Sequence, residues 1–287
     1  MFLNVPSQLA ANCRVRPERT AWLAQLPDTL HYFARKWSLT LGTPFDDATC
    51  AWVAPVALAD GSAAVLKLGM PHMEGEHELH GLRFWNGDPT VQLLAADEER
   101  GAMLIERCDP GTPLRILPEP EQDLVIANLL RRLWRRVPDT PHPFRPLSAM
   151  TGHWALQTLA QTDQWPDESL VREGLLLLTE LPRTAPSQVL LATDLHSGNV
   201  LRSSREPWLV IDPKPFVGDP AYDVTQHLFN YRTALQTNPH AAIRRIAELV
   251  DLDPGRVRLW MFARAAAEPR DHWNRNGEMA LARAIAP

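Results

Sequence analysis

The stretch Thr193-Asp194-Leu195-His196-Ser197-Gly198-Asn199, followed by Val210-Ile211-Asp212-Pro213, decides how this chain is read. An Asp, an Asn five positions on and a second Asp closing an apolar strand form the residue set that phosphoryl transfer needs. Asp194 can orient an acceptor hydroxyl and take its proton. The Asn199 amide oxygen and the Asp212 carboxylate offer hard oxygen ligands to magnesium bridging ATP phosphates. Segments 188–192 and 208–212 are rich in branched residues and read as short buried strands on either side of a polar loop. The same letters admit other meanings. Asp-x-x-x-x-Asn arises by chance, an Asp after a strand is often a turn cap, and Asp194, His196 and Asp212 could instead hold a transition metal. No further His or Asp cluster at ligand spacing accompanies that last set.

Working outward, the order strand, loop, Asn-Val-Leu, strand, Asp follows the layout of protein-kinase-like catalytic and metal-binding loops, with Pro213 where a D-F-G motif has Phe. Such a site requires a cation for the nucleotide phosphates. Ser62-Ala63-Ala64-Val65-Leu66-Lys67-Leu68 supplies one in a strand that resembles V-A-I-K. Lys67 stands out because the chain has only three lysines, Lys36, Lys67 and Lys214, among its 29 basic residues. A compact ammonium on a flexible stem suits a point contact with phosphate oxygens. Downstream, Leu79, Leu82 and Trp85 recur at helical spacing, and Glu78 beside that buried face is the expected partner of Lys67, with Glu76 the alternative. Segments 51–58 and 63–68 flank Asp60-Gly61 and read as a β-hairpin. The turn at 46–50 has no glycine run, so a phosphate cradle there would come from backbone amides and Thr49. Segments 91–96 and 102–108 form another strand pair running into a hinge, where backbone groups around Glu106 to Cys108 would contact adenine.

The rest is mainly helical, over 122–137, 148–164, 169–181, 222–236, 239–250, 254–268 and 277–285. Trp22, Leu23, Leu26, Leu30, Phe33 and Trp37 mark one packed helix near the start. The pattern is α+β: a small β-rich N-lobe over 1–107 with a leading helix, then a larger helical C-lobe over 108–287. A hydrophobic content of 45% is enough to build both cores. The net charge of −5 gives no basic face for nucleic acid and favours cationic small molecules. Cys13, Cys50 and Cys108 form neither a disulfide framework nor a metal cluster, which points to a reducing compartment and a cytoplasmic location. No apolar run reaches membrane-spanning length, and a monomer is expected.

Asp194-Leu-His-Ser-Gly-Asn-Val-Leu201, Trp208-Leu-Val-Ile-Asp-Pro-Lys214, Val217-Gly-Asp-Pro-Ala-Tyr-Asp223 and Val250-Asp-Leu-Asp-Pro-Gly-Arg256 together resemble the aminoglycoside O-phosphotransferases of the streptomycin 6-kinase and hydroxyurea phosphotransferase group. The resemblance implies the two-lobed, protein-kinase-like aminoglycoside phosphotransferase fold, ATP with magnesium, and transfer of the γ-phosphate to a hydroxyl of an aminocyclitol antibiotic, conferring resistance. A hydroxyurea phosphotransferase, or a pseudokinase that binds nucleotide without transfer, are the alternatives. Carried over by position, Asp194 is the catalytic base, Asn199 and Asp212 the magnesium ligands, Lys67 the phosphate contact, Glu78 its partner and Asp223 a support of the catalytic loop. The family usually has His-Gly-Asp where this chain has Ala192-Thr193-Asp194, so the imidazole that helps hold the loop is missing. A guanidinium-bearing acceptor pairs best with carboxylates, which nominates Asp163, Asp167, Glu268 and Asp271, with Trp165 and Trp273 for stacking.

Overall fold

The computed structural model describes residues 4–230, 232–269 and 277–287. The chain divides into two compact units, the first taking 1–112 and 202–211, the second 113–201 and 212–287. The first unit thus runs past residue 107 and takes in a later hairpin segment. Arg205 is the reason: it donates to both Glu106 carboxylate oxygens at 2.9 and 2.8 Å and to the carbonyls of Gly87 and Thr90. Backbone bonds from Val91 to Val210 and from Val210 to Pro89, both 3.0 Å, complete the tie.

The first unit opens with α1 (Ser7–Cys13) and α2 (Pro17–Lys36). Two helices stand where one was expected, the second starting at Pro17, whose fixed φ suits a first helical position. Strands β1 (Thr40–Leu41), β2 (Ala51–Ala57), β3 (Ala63–Gly69), β4 (Leu93–Asp97) and β5 (Ala102–Glu106) form an antiparallel sheet in the order β1-β2-β3-β5-β4. The expected hairpin closes with Ala57 opposite Ala63 and Gly61 at φ +84°, a left-handed conformation that glycine adopts without strain. Alternation along β3 then sorts its side chains. Ala64, Leu66 and Leu68 pack with Leu9, Leu26, Leu30 and Phe33 of the leading helices, while Val65 packs with Leu79 and Leu82 of α3 (Glu78–Trp85). Each fully buried leucine here contributes roughly 1.5–3 kcal/mol. Lys67, two residues after Val65, shares its face by the same period. Residues 74–77 are turn, not helix, so Glu78 is the first residue of α3.

The second unit contains α4 (Glu119–Leu133), α5 (Leu147–Leu159), α6 (Glu168–Glu180), α7 (Pro220–Asn230), α8 (Arg232–Thr237), α9 (Pro239–Leu249), α10 (Pro254–Ala267) and α11 (Glu278–Ala284). The helix expected over 148–164 stops at Leu159, with a 3-10 turn at Thr162–Gln164. At the core lies α10, buried at every position from Trp260 to Ala267. Asp253 caps it by accepting from Gly255 and Arg256 amides, with Pro254 at the first turn. Helix α6 crosses it so closely that a Cβ on Gly174 would meet the Ala266 Cβ at 2.8 Å. Buried Asp219 ties α10 to the start of α7: its Oδ2 accepts from Arg256 Nε at 2.5 Å and Trp260 Nε1 at 2.7 Å, and its Oδ1 from the Ala221 amide. Among the described residues no helix is long and apolar enough to cross a membrane.

Candidate active site

In the second unit, strand Val189–Leu191 pairs antiparallel with strand Phe216–Gly218, Leu191 opposite Phe216. The loop 192–199 leaves this pair, and Asp223 clamps its root. The fully buried Asp223 carboxylate accepts from the Ala192 and Thr193 amides at 2.9 and 2.7 Å and from Trp134 Nε1 at 3.0 Å. Burial pushes its acid up to about 6, against these three donors, which favour the charge. Thr193 occupies the left-handed region, φ +45°, which a β-branched residue rarely adopts. Its hydroxyl donates to the Lys214 carbonyl at 2.6 Å, and the Lys214 amide donates to the Ala192 carbonyl at 2.8 Å. The loop is therefore tied at its root by Asp223 and Thr193, in a chain where Ala192 has no imidazole to offer.

Beyond the root, the Asp194 carboxylate is held from two sides. Lys214 Nζ bonds Oδ2, and Gln226 Nε2 donates to Oδ1 at 2.8 Å. Asn199 Nδ2 donates to the Asp194 carbonyl at 3.0 Å, which commits the nitrogen and leaves Oδ1 as the ligating atom of that amide. Asp212, at φ +52°, has its Oδ2 3.6 Å from Lys214 Nζ. His196 Nε2 lies 4.0 Å from Asp194 Oδ1 and Nδ1 accepts from the Gly198 amide; burial and Lys214 lower its affinity for a proton, partly countered by Asp194. The donor set fits magnesium: an amide oxygen and a carboxylate are hard ligands, and two protein ligands are what a phosphate-bound ion requires. Among the described residues no three His, Cys, Asp or Glu side chains group to hold a metal by themselves.

Behind Asp194 stands a further set that the sequence reading did not single out. Arg264 donates to Gln226 Oε1 at 2.9 Å, to Thr225 Oγ1 at 2.7 Å and to Glu268 Oε2 at 2.8 Å. Its guanidinium carbon lies 4.9, 5.0 and 5.6 Å from the ring centres of Phe229, Tyr222 and Trp154. Burial works against this charge, and Glu268 and its other partners more than restore it. Lys214 could have been found from the rarity of lysine. Gln226 and Arg264 carry no such signal.

In the first unit, Lys67 Nζ donates to Glu78 Oε1 at 2.6 Å, and the two residues are 6% and 5% exposed. Glu76 lies exposed in the preceding turn. Thr49 is exposed, its hydroxyl 3.7 Å from Cys50 Sγ and its carbonyl accepting from Asn12. Glu106 is bound by Arg205 and by the Gln92 amide, which outweigh burial and hold its carboxyl below the usual range. Burial beside Glu106 pushes the Cys108 thiol up to about 12. The acidic acceptor candidates have separate duties. Asp167 caps α6 by accepting from the Leu170 amide and pairs with Arg283, Glu268 pairs with Arg264, and Asp163 is exposed in the 3-10 turn. Trp165 stacks on Arg172 and donates to the Thr158 carbonyl. Asp271 and Trp273 lie outside the described residues.

Residues 36–277 match the family described as aminoglycoside/hydroxyurea antibiotic resistance kinase. A streptomycin 6-kinase of Streptomyces griseus is 36% identical over 86% of this chain and 83% of its own length. A hydroxyurea phosphotransferase of Kitasatospora aureofaciens is 34% identical over 83% of this chain and 71% of its own. The crystal structure of a choline/ethanolamine kinase family protein from Mesorhizobium loti superposes with a TM-score of 0.62, at 14% identity, over 91% of this chain and 94% of that one. The fold is thereby the protein-kinase-like one.

Proposed function

We propose, for a chain that belongs to the aminoglycoside/hydroxyurea antibiotic resistance kinase family, that it transfers the γ-phosphate of ATP to a hydroxyl of a cationic, streptomycin-like aminocyclitol. The observation that carries this reading is the loop holding Asp194 with Asn199 behind it. Asp194 accepts the proton of the acceptor hydroxyl as its oxygen bonds to the γ-phosphorus; the bond from phosphorus to the β,γ-bridging oxygen breaks, and ADP leaves. Each carboxylate oxygen has two lone-pair sites, so Asp194 can keep its internal donors and still receive this proton. Asn199 and Asp212 would hold magnesium, which when bound neutralises charge on the phosphates. Lys67, aimed by Glu78, contacts the α and β phosphates, the Thr49 turn supplies amides to them, and the backbone from Glu106 to Cys108 meets adenine.

The hydroxyurea phosphotransferase among the relatives supports a second acceptor class, a small neutral molecule with an N-hydroxyl. Turnover of ATP by the purified protein, with streptomycin and hydroxyurea offered in parallel, separates the two. The kinase reading expects ADP formation that requires one of these acceptors. Nucleotide binding with no acceptor-dependent ADP would place the chain among binding proteins instead.

A further inference from the structure

We propose that Gln226 is a positioning residue for the catalytic carboxylate, held in one orientation by Arg264 and Glu268 so that its amide fixes the Asp194 side chain. The proposal rests on the reading of Asp194 as the base.

The chemistry of the donors makes the orientation unambiguous. A guanidinium has five N–H donors and no acceptor, so the Gln226 atom that faces Arg264 must be Oε1. Nε2 is then turned to Asp194 Oδ1, 2.8 Å away. Arg264 cannot easily release this grip. It is 4% exposed, lies against three aromatic rings and donates to Glu268, one turn along α10, and to Thr225, the neighbour of Gln226 on α7. The chain from Glu268 through Arg264 and Gln226 to Asp194 thus runs from the core helix to the loop with donors and acceptors matched at each link. Lys214, on the other carboxylate oxygen, is a point charge on a flexible stem and supplies attraction without direction. The planar amide supplies direction, and small misplacements of a reacting group cost up to about 10²-fold in rate.

The test uses the whole enzyme with ATP, and with streptomycin and hydroxyurea as acceptors, measuring kcat, the KM for ATP and the melting temperature. Gln226→Met keeps the size of the half-buried side chain and removes the donor. It should lower kcat roughly 10- to 100-fold, with the KM for ATP within about twofold of wild type. Gln226→Glu separates positioning from packing, because a carboxylate suits Arg264 yet turns an oxygen on Asp194. Its melting temperature should match or exceed wild type while kcat falls at least as far as in Gln226→Met. Arg264→Lys, which frees the amide to turn over, should lower kcat, and adding it to Gln226→Met should lower kcat no further. Asp194→Asn is the control on the underlying reading. If Asp194→Asn is silent while Gln226→Met and Gln226→Glu turn over at the wild-type rate, the proposal is overturned and the base assignment stands. Normal turnover by Asp194→Asn overturns both.

Discussion

Lys67 and Glu78 meet as a local ion pair, eleven positions apart, one on a strand and the other at the first turn of the next helix. Asp194 and its loop depend instead on partners 20 to 32 positions away, Lys214, Asp223 and Gln226, and through Gln226 on Arg264. Both are ionic arrangements, the first buried and the second half-buried, and they differ in how far along the chain their partners lie. The pair joins a strand to the next helix. The loop is held by distant partners, and Asp223, Gln226 and Arg264 each bond more than one group.

Asp223 is where that difference can be broken most forcefully. Asp223→Ala leaves the Ala192 and Thr193 amides and the Trp134 indole N–H without their acceptor, and each stranded buried donor costs about 1–3 kcal/mol. Urea unfolding should show a loss of about 3–6 kcal/mol, together with abolished turnover. A loss under 1 kcal/mol would mean that the loop is not held from its root.

At the other site, Lys67→Met removes the ammonium that Glu78 binds in a site 5% exposed, and breaking a buried pair from one side costs about 3–5 kcal/mol. Lys67→Met with Glu78→Leu replaces the pair by apolar groups and should recover most of that stability while turnover stays lost. Stability and catalysis separate at the pair and travel together at Asp223. Recovery of turnover in the double variant would remove Lys67 from the nucleotide site.

The contrast also explains what could be read from the sequence. The β-hairpin at Asp60-Gly61, the lysine strand and Glu78 are local patterns, decided by alternation, a turn dipeptide and one helix start. The partners of Asp167 and Glu268 are local as well: an Asp just before a helix is a cap, and an Arg four positions before a Glu is a pair. Residues 74–77 form a turn around Gly75, which weakens a helical start, so the helix begins at Glu78. Gln226 and Arg264 were beyond reach for a different reason. Their meeting depends on how α7 and α10 pack, and the Asp219 bonds to Arg256 and Trp260 that set this packing span 37 and 41 positions. The Arg205 bridge to Glu106, 99 positions long, hid the return of 202–211 to the first unit in the same way.

Asp223 should carry its own pH signature. Burial places the Asp223 acid at about 6, above its ordinary 3.8, so the folded state binds this proton more tightly than the unfolded chain. The contribution to stability is therefore complete below about pH 4 and is lost as pH rises to about 6. Two units correspond to a change of about 3 kcal/mol. Asp223→Asn does not titrate, so its constant cost cancels when the difference between wild type and variant is followed by urea unfolding from pH 4 to 7. Wild type should lose ground to the variant across this range. A flat difference would show that the three donors cancel the burial penalty.

The smallest expected effect lies at Thr193, where two opposed costs nearly cancel. A β-branched residue at φ +45° is strained by about 1–3 kcal/mol, and glycine would remove that strain. Glycine would also lose the 2.6 Å bond from the Thr193 hydroxyl to the Lys214 carbonyl, about 1 kcal/mol, and gain freedom in the unfolded chain, about 0.5–1 kcal/mol. Thr193→Gly should thus change stability by no more than about 1 kcal/mol in either direction. Thr193→Ala keeps most of the backbone strain and loses the bond, so it should be the less stable of the two by about 1 kcal/mol. That order reverses the usual advantage of alanine over glycine and follows from the left-handed backbone. The hydroxyl bond makes a further point about Ala192. Adding Ala192→His to Thr193→Gly supplies an imidazole but exchanges one tie for another, since the loop root already has the Asp223 clamp. Turnover of this double variant should stay within about threefold of wild type, a change of under 1 kcal/mol in the transition state. A tenfold gain would show that the hydroxyl tie is a poor substitute for the imidazole.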